Sequence, residues 1–87
     1  MITVKEKLIQ MLVSRGMFEN QAKEVIELSI PKLNKEVEGY TITFDSPSNH
    51  YPDNLYVIWL RFIRPIALEW IDKNFPQAWF RPMFVDA

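Results

Sequence analysis

Apolar positions recur at helical spacing in three stretches of this chain and lose that spacing between the second and third. Val4, Leu8, Met11, Leu12 and Arg15 mark one face of the first stretch. Thr3 and Glu6 stand ahead of it as a capping box, in which a hydroxyl and a carboxylate satisfy amides that the first turn leaves unpaired. Gly16 suits the left-handed residue that ends a helix. A second helix is expected from about Glu19 to Val37, with Glu19 near its positive end and a stripe of Ala22, Val25, Ile26, Ser29, Ile30, Leu33 and Val37. Pro31 falls inside it. A proline there removes one amide donor and clashes with the carbonyl four residues back, which predicts a kink or break near Ser29 and Ile30. Leu8 and Leu12 facing Ile26 and Leu33 would close these two helices into a hairpin.

From Glu38 to Asn54 the sequence EGYTITFDSPSNHYPDN is rich in turn formers, and its alternating piece YTITF lacks an evident partner strand. An extended crossing is expected there. The third helix should begin near Pro52 or Asp53, where proline fits the first turn and the aspartate complements the dipole. Leu55, Ile58, Trp59, Phe62, Ile63, Ile66, Ala67, Trp70 and Ile71 give it a wide continuous stripe, which makes it the core helix. Pro65 should bend or divide it near Arg61 and Phe62, and Asn74 with Phe75–Pro76 should end it. The residues after that stop, AWFRPMF (Ala78 to Phe84), are too apolar for a fraying terminus. They read as a clasp laid back on the domain, with Pro82 keeping it extended, Trp79 and Phe84 covering the core, and Phe80 and Arg81 facing outward. The expected architecture is therefore mainly α, one domain over residues 1–87: an N-terminal helical hairpin, an extended crossing, a long proline-kinked core helix and an aromatic C-terminal clasp.

Composition narrows the chemistry. The chain has 87 residues, 48% of them apolar and 24% charged, which suits a folded domain rather than a disordered one. A chain of this length buries only roughly 60% of its unfolded surface, so each large apolar residue matters. The formal net charge is −1, and neither half carries a field of one sign. Electrostatics therefore give little support to a dedicated nucleic-acid or anionic-membrane surface. Without cysteine there is no disulfide, thiolate zinc site or thiol nucleophile, and a cytoplasmic setting is the default. The amino terminus has no signal-peptide cleavage pattern, and the longest apolar run, Leu55 to Ile63, is interrupted by Arg61 and far shorter than a membrane span.

Three groups of residues invite chemical readings. Asp45, Ser46, Ser48, His50 and Asp53 contain the types needed for a Ser-His-Asp arrangement or a metal site, but a short proline-broken loop seldom supplies the geometry, and turn capping accounts for the same residues. Glu69 and Asp72, near Lys73, are paired carboxylates on a polar helix face, where surface charge is the ordinary role. Neither glycine belongs to a phosphate-binding loop. No catalytic residue, metal ligand or cofactor site is assigned. Arg61, Arg64 and Arg81 near Tyr56, Trp59, Trp79 and Phe80 resemble a stacking surface for single-stranded nucleic acid, but arginine stacked on aromatic faces, or paired with Glu69 and Asp72, explains them more economically. Tyr56, Val57, Leu60 and Leu68 lie off the core stripe and yet are apolar, so something must cover them: the clasp, the crossing segment, a second copy of the chain or another protein.

The segments GMFENQAKEVIEL (Gly16 to Leu28) and ALEWIDKNFPQAWFRPMF (Ala67 to Phe84), with Gly39, Tyr40 and Pro52 between them, resemble a group of small, functionally uncharacterised bacteriophage and prophage proteins. The likeness spans most of the chain and is distinctive only in the closing segment. This sequence departs from the group in SPSNHYPDN and in Pro65. The resemblance carries no activity to any residue. It implies a small accessory protein acting by binding a host or phage protein, and aromatic residues mixed with arginine suit the centre of such an interface. Tyr56, Leu60, Arg64, Trp79, Phe80 and Arg81 are the residues expected to form the partner-binding or self-association patch. A nucleic-acid-associated accessory protein is the alternative.

Overall fold

The computed structural model describes residues 2–36, 55, 56 and 58–85, with the side chains of 32–36 outside the description. Helix α1 runs Val4–Val13. The hydroxyl half of the expected capping box is present, the Thr3 Oγ1 accepting from the Glu6 amide at 3.2 Å. The Glu6 carboxylate accepts from the Thr3 hydroxyl at 3.2 Å, which locks the two side chains together. At the other end the chain closes in a Schellman arrangement. The Met17 amide donates to the Leu12 carbonyl and the Gly16 amide to the Val13 carbonyl, with Gly16 at φ +116°. Leu12 and Met17 are both buried, as the apolar contact accompanying this motif requires.

Helix α2 spans Glu19–Glu36 as one element, so of the kink or break expected near Ser29 and Ile30 the break does not occur. Pro31 lies on the exposed face. The carbonyl deprived of a partner belongs to Glu27, itself exposed, where water can replace the missing amide. Just before the proline, the buried Ser29 satisfies its hydroxyl by donating back to the Val25 carbonyl at 2.7 Å. Leu8, Leu12 and Ile26 are fully buried between the two helices. Lys5 reaches Glu27 at 3.0 Å across the hairpin, as the antiparallel arrangement allows.

The third helical stretch contains the largest departure from regular geometry. Residues 55, 56 and 58 are helical, a π-helical turn follows over Trp59–Ile63, and helix α3 continues from Arg64–Asn74. Ile63 and Arg64 keep helical dihedrals, so the chain does not divide. In place of a break, Pro65 is accommodated by widening the turn before it. The Arg64 amide donates to Trp59, five residues back, and the extra residue per turn eases the clash between the proline ring and the preceding carbonyls. The irregularity covers Arg61 and Phe62, where the sequence places it. Leu55, Ile58, Trp59, Ile63, Ala67, Trp70 and Ile71 form the buried face, with Phe62 and Ile66 packed at its edge. This face packs against α2. Asn74 ends α3 and caps it with its side-chain amide on the Trp70 carbonyl at 2.9 Å.

No strand is present among the described residues, and the architecture is mainly α. The crossing segment with Tyr40 to Phe44, and the group Asp45, Ser46, Ser48, His50 and Asp53, lie outside the described residues, as does Val57. Leu68, expected to need outside cover, is half-buried against the core.

Candidate functional site

After Asn74 the chain reverses. Phe75 leaves helical geometry with φ −142° and ψ 62°, as the residue before Pro76 should. Its ring packs on Trp70 with centroids 5.5 Å apart. The following residues are not extended. Amides of Ala78, Arg81, Met83 and Phe84 each donate to the carbonyl three residues earlier, and Arg81–Met83 is a turn of 3₁₀ helix containing Pro82. Proline tolerates the start of such a turn because its missing amide would have had no partner there.

This curl decides which aromatic rings face inward, and it reverses part of the expectation. Phe80 and Phe84, four residues apart, are the buried pair, whereas Trp79 is 75% exposed. Phe84 lies against Trp59 with centroids 6.0 Å apart and against Phe80 at 6.3 Å. The opposite cover of Trp59 comes from the hairpin: the Arg15 guanidinium is 4.4 Å from the ring centroid and also donates to the Met11 carbonyl at 3.1 Å. Stacking and hydrogen bonding together hold this cation in place.

The same segment closes onto the turn between α1 and α2. A methyl group added at Gly16 would lie 2.6 Å from the Phe80 Cβ and 2.9 Å from two ring atoms of Trp79. Gly16 is thus required twice, by its positive φ and by the close approach of the C-terminal strap. Two polar ties complete the closure. Arg64 donates to the Phe84 carbonyl at 2.9 Å, and Arg81 forms a two-pronged contact with Asp72 at 2.5 and 3.3 Å. That pairing holds the Asp72 carboxyl below its ordinary range, chiefly through the hydrogen bond, and raises Arg81.

The six residues expected to form a binding patch therefore have divided roles. Tyr56, Leu60 and Trp79 are exposed. Phe80 is buried. Arg64 and Arg81 are half-buried and tie the strap down. Asp72, one of the paired carboxylates considered for acid–base work, is committed to Arg81.

Phe18 joins the exposed set at 72%, and the sequence reading passed it over. It occupies the N-cap position of α2: its carbonyl accepts the first helical amide, from Ala22, at 2.9 Å, and its own amide donates to Gln21 Oε1 at 3.0 Å. The position favours a side-chain oxygen that can satisfy free amides, which phenylalanine lacks. That mismatch was the available signal. Phe18 follows Gly16 by two residues, so its Cα is within about 7.6 Å of the turn on which the Trp79 ring rests. Phe18 by its main chain and Trp79 by its ring are thus both close to the Gly16 turn.

Among the described residues no group of three or more histidine or acidic side chains is placed to hold a metal ion, and no helix is long and apolar enough to cross a membrane. Comparison with protein-family models, curated proteins and solved structures gives no match.

Proposed function

We propose that this chain is a small accessory protein of phage type that acts without catalysis, by contact with another protein, and that Phe18 and Trp79 anchor the contact. The observation carrying this reading is the pair of rings, each about three-quarters exposed beside the Gly16 turn. Phe18 takes a helix position where an apolar side chain gives up a cap worth about 1 kcal/mol. Residues that break a local rule without a structural return are candidates for function. Large aromatics dominate the energetics of protein interfaces because each buries much area at little entropic cost. Tyr56 and Leu60 provide a second exposed pair on the third helical stretch.

The nucleic-acid alternative has less support, because Arg64 and Arg81 are engaged internally. The test is capture from host cells with the wild-type chain and with a Phe18→Ala/Trp79→Ala variant shown to be folded by circular dichroism. A protein retained by the first and lost by the second supports the reading. An unchanged set of captured proteins rejects these two residues as the anchor, and salt-sensitive binding of a single-stranded oligonucleotide would favour the alternative.

A further inference from the structure

We propose that the strap Ala78–Phe84 exchanges between two copies of this chain, each copy seating Phe80 and Phe84 beside the Trp59 of the other. The first ground is how the strap is held. The described main-chain amides of Arg81, Met83 and Phe84 donate within the strap, and that of Ala78 donates to Phe75 in the connection. The strap can swing out about the connection with the loss of that one turn bond and of no backbone ladder. What binds it are side-chain contacts: two buried rings, the Arg64 donation to the Phe84 carbonyl, and the Arg81–Asp72 pair.

The second ground is the connection. Phe75, Pro76 and Gln77 are exposed and join α3 to the strap outside any helix. Pro76 keeps the preceding residue in the extended region, compatible with a chain that continues away from α3 as well as with one that folds back. Short hinges of this kind are where identical elements exchange between protomers.

The third ground selects the occupant. A strap that lifted without replacement would expose Phe80, Phe84 and Trp59 together, and such a state is strongly disfavoured by loss of apolar burial. The socket is already shaped to one sequence, including a glycine that admits the Phe80 Cβ and the Trp79 ring. The occupant that restores every contact is the same segment from a second copy. Exchange is independent of whatever Phe18 and Trp79 bind, since both rings stay exposed in either arrangement.

Charge reversal at the exposed pair tests this directly. A chain with Asp72→Arg and another with Arg81→Asp each place like charges together when their own straps are closed. Mixed at high concentration, refolded together and weighed by native mass spectrometry, they can satisfy both pairs only by exchanging straps. The expected result is a heterodimer favoured over either homodimer by roughly tenfold, the scale of restoring two exposed ion pairs, and weakened by salt. A chain carrying both reversals closes its own pair and should show no such preference. Persistence of the mixture at monomer mass overturns the proposal. So does dimerisation to the same extent by each chain alone, which would place the contact on another face.

Discussion

Replacing Gly16 with alanine tests whether the strap is seated on the turn between α1 and α2. The backbone there has φ +116°, and a non-glycine residue in left-handed territory costs roughly 1–2 kcal/mol. The added methyl would lie 2.6 Å from the Phe80 Cβ and 2.9 Å from two Trp79 atoms, and overpacking of this kind costs about 1–3 kcal/mol. Alanine also restricts the unfolded chain, which offsets about 0.4–1 kcal/mol. The net expectation is a loss of roughly 3 kcal/mol, a large share of the stability of a domain this small. It should lower the melting temperature by about 12–24 °C. Urea titration followed by far-ultraviolet circular dichroism measures it, two-state analysis being suitable at this length.

A second substitution separates the two contributions. Asparagine is the best tolerated non-glycine residue at positive φ, yet its Cβ meets the same atoms as that of alanine. If the strap is in place, Gly16→Asn should lose at least about 1 kcal/mol through contact alone. A Gly16→Ala chain within about 1 kcal/mol of wild type would refute both parts of the reasoning. Full recovery in Gly16→Asn would refute the contact and leave only the dihedral requirement.

Phe84→Ala removes a fully buried ring packed on Trp59 and should cost about 3–5 kcal/mol by urea titration; a cost below about 1.5 would show that the strap is not part of the core. Trp79→Ala, at 75% exposure, should change stability by less than about 1 kcal/mol while weakening partner binding, and a larger loss of stability would make it a core residue. Trp70 is buried, and its indole nitrogen finds no hydrogen-bond partner among the described residues. Trp70→Ala should therefore cost about 3–5 kcal/mol, and Trp70→Phe under about 1.5, because the orphaned donor is removed with the ring. For Asp72 the folded pKa is depressed by Arg81. Its stabilisation is thus present above the unfolded aspartate value near pH 4 and lost as pH falls through the lower folded value. Asp72→Asn should flatten the urea midpoint below about pH 4 and leave it nearly unchanged at pH 7, since an exposed pair contributes little.

The three helices were legible because their signals are local: the Thr3–Glu6 cap, Gly16, and stripes that repeat over several turns. Trp59, Trp70 and Ile71 are buried as the spacing of the third stripe requires. At Pro31 the pattern does not decide between a kinked helix and a broken one, because the cost of the proline depends on whether water reaches the vacated carbonyl, and that is settled by which face of the finished helix points outward. Pro65 was placed correctly, but propensity rules give only the position of a defect and not its form. At the C-terminus the error was one of period. Trp79 and Phe84 are five residues apart and cannot share a face in an extended or a helical chain. Phe80 and Phe84 share one in both, so the buried pair was available from spacing alone. The approach of the strap to Gly16 was not, because it joins positions more than sixty residues apart.

Joining stability and recognition in one short segment has a mechanical consequence. Trp79 is exposed, and its neighbour Phe80 is buried, with their rings meeting edge to face at 5.8 Å. A partner that grips Trp79 without displacing it adds to the forces holding Phe80 in its socket, so binding should stabilise the fold by linkage, by about 2.7 kcal/mol at a hundredfold excess over the dissociation constant. A partner that pulls the Trp79 ring away from Gly16 must instead loosen Phe80, a cost that weakens its dissociation constant and leaves the linkage at the same multiple of that constant unchanged. Hydrogen exchange in the complex, at a fixed multiple of the dissociation constant, distinguishes the two. Unchanged hydrogen exchange at Phe84 means that the strap stays closed. Accelerated exchange at that amide, whose bond to Arg81 is internal to the strap, means that the partner unravels the curl itself.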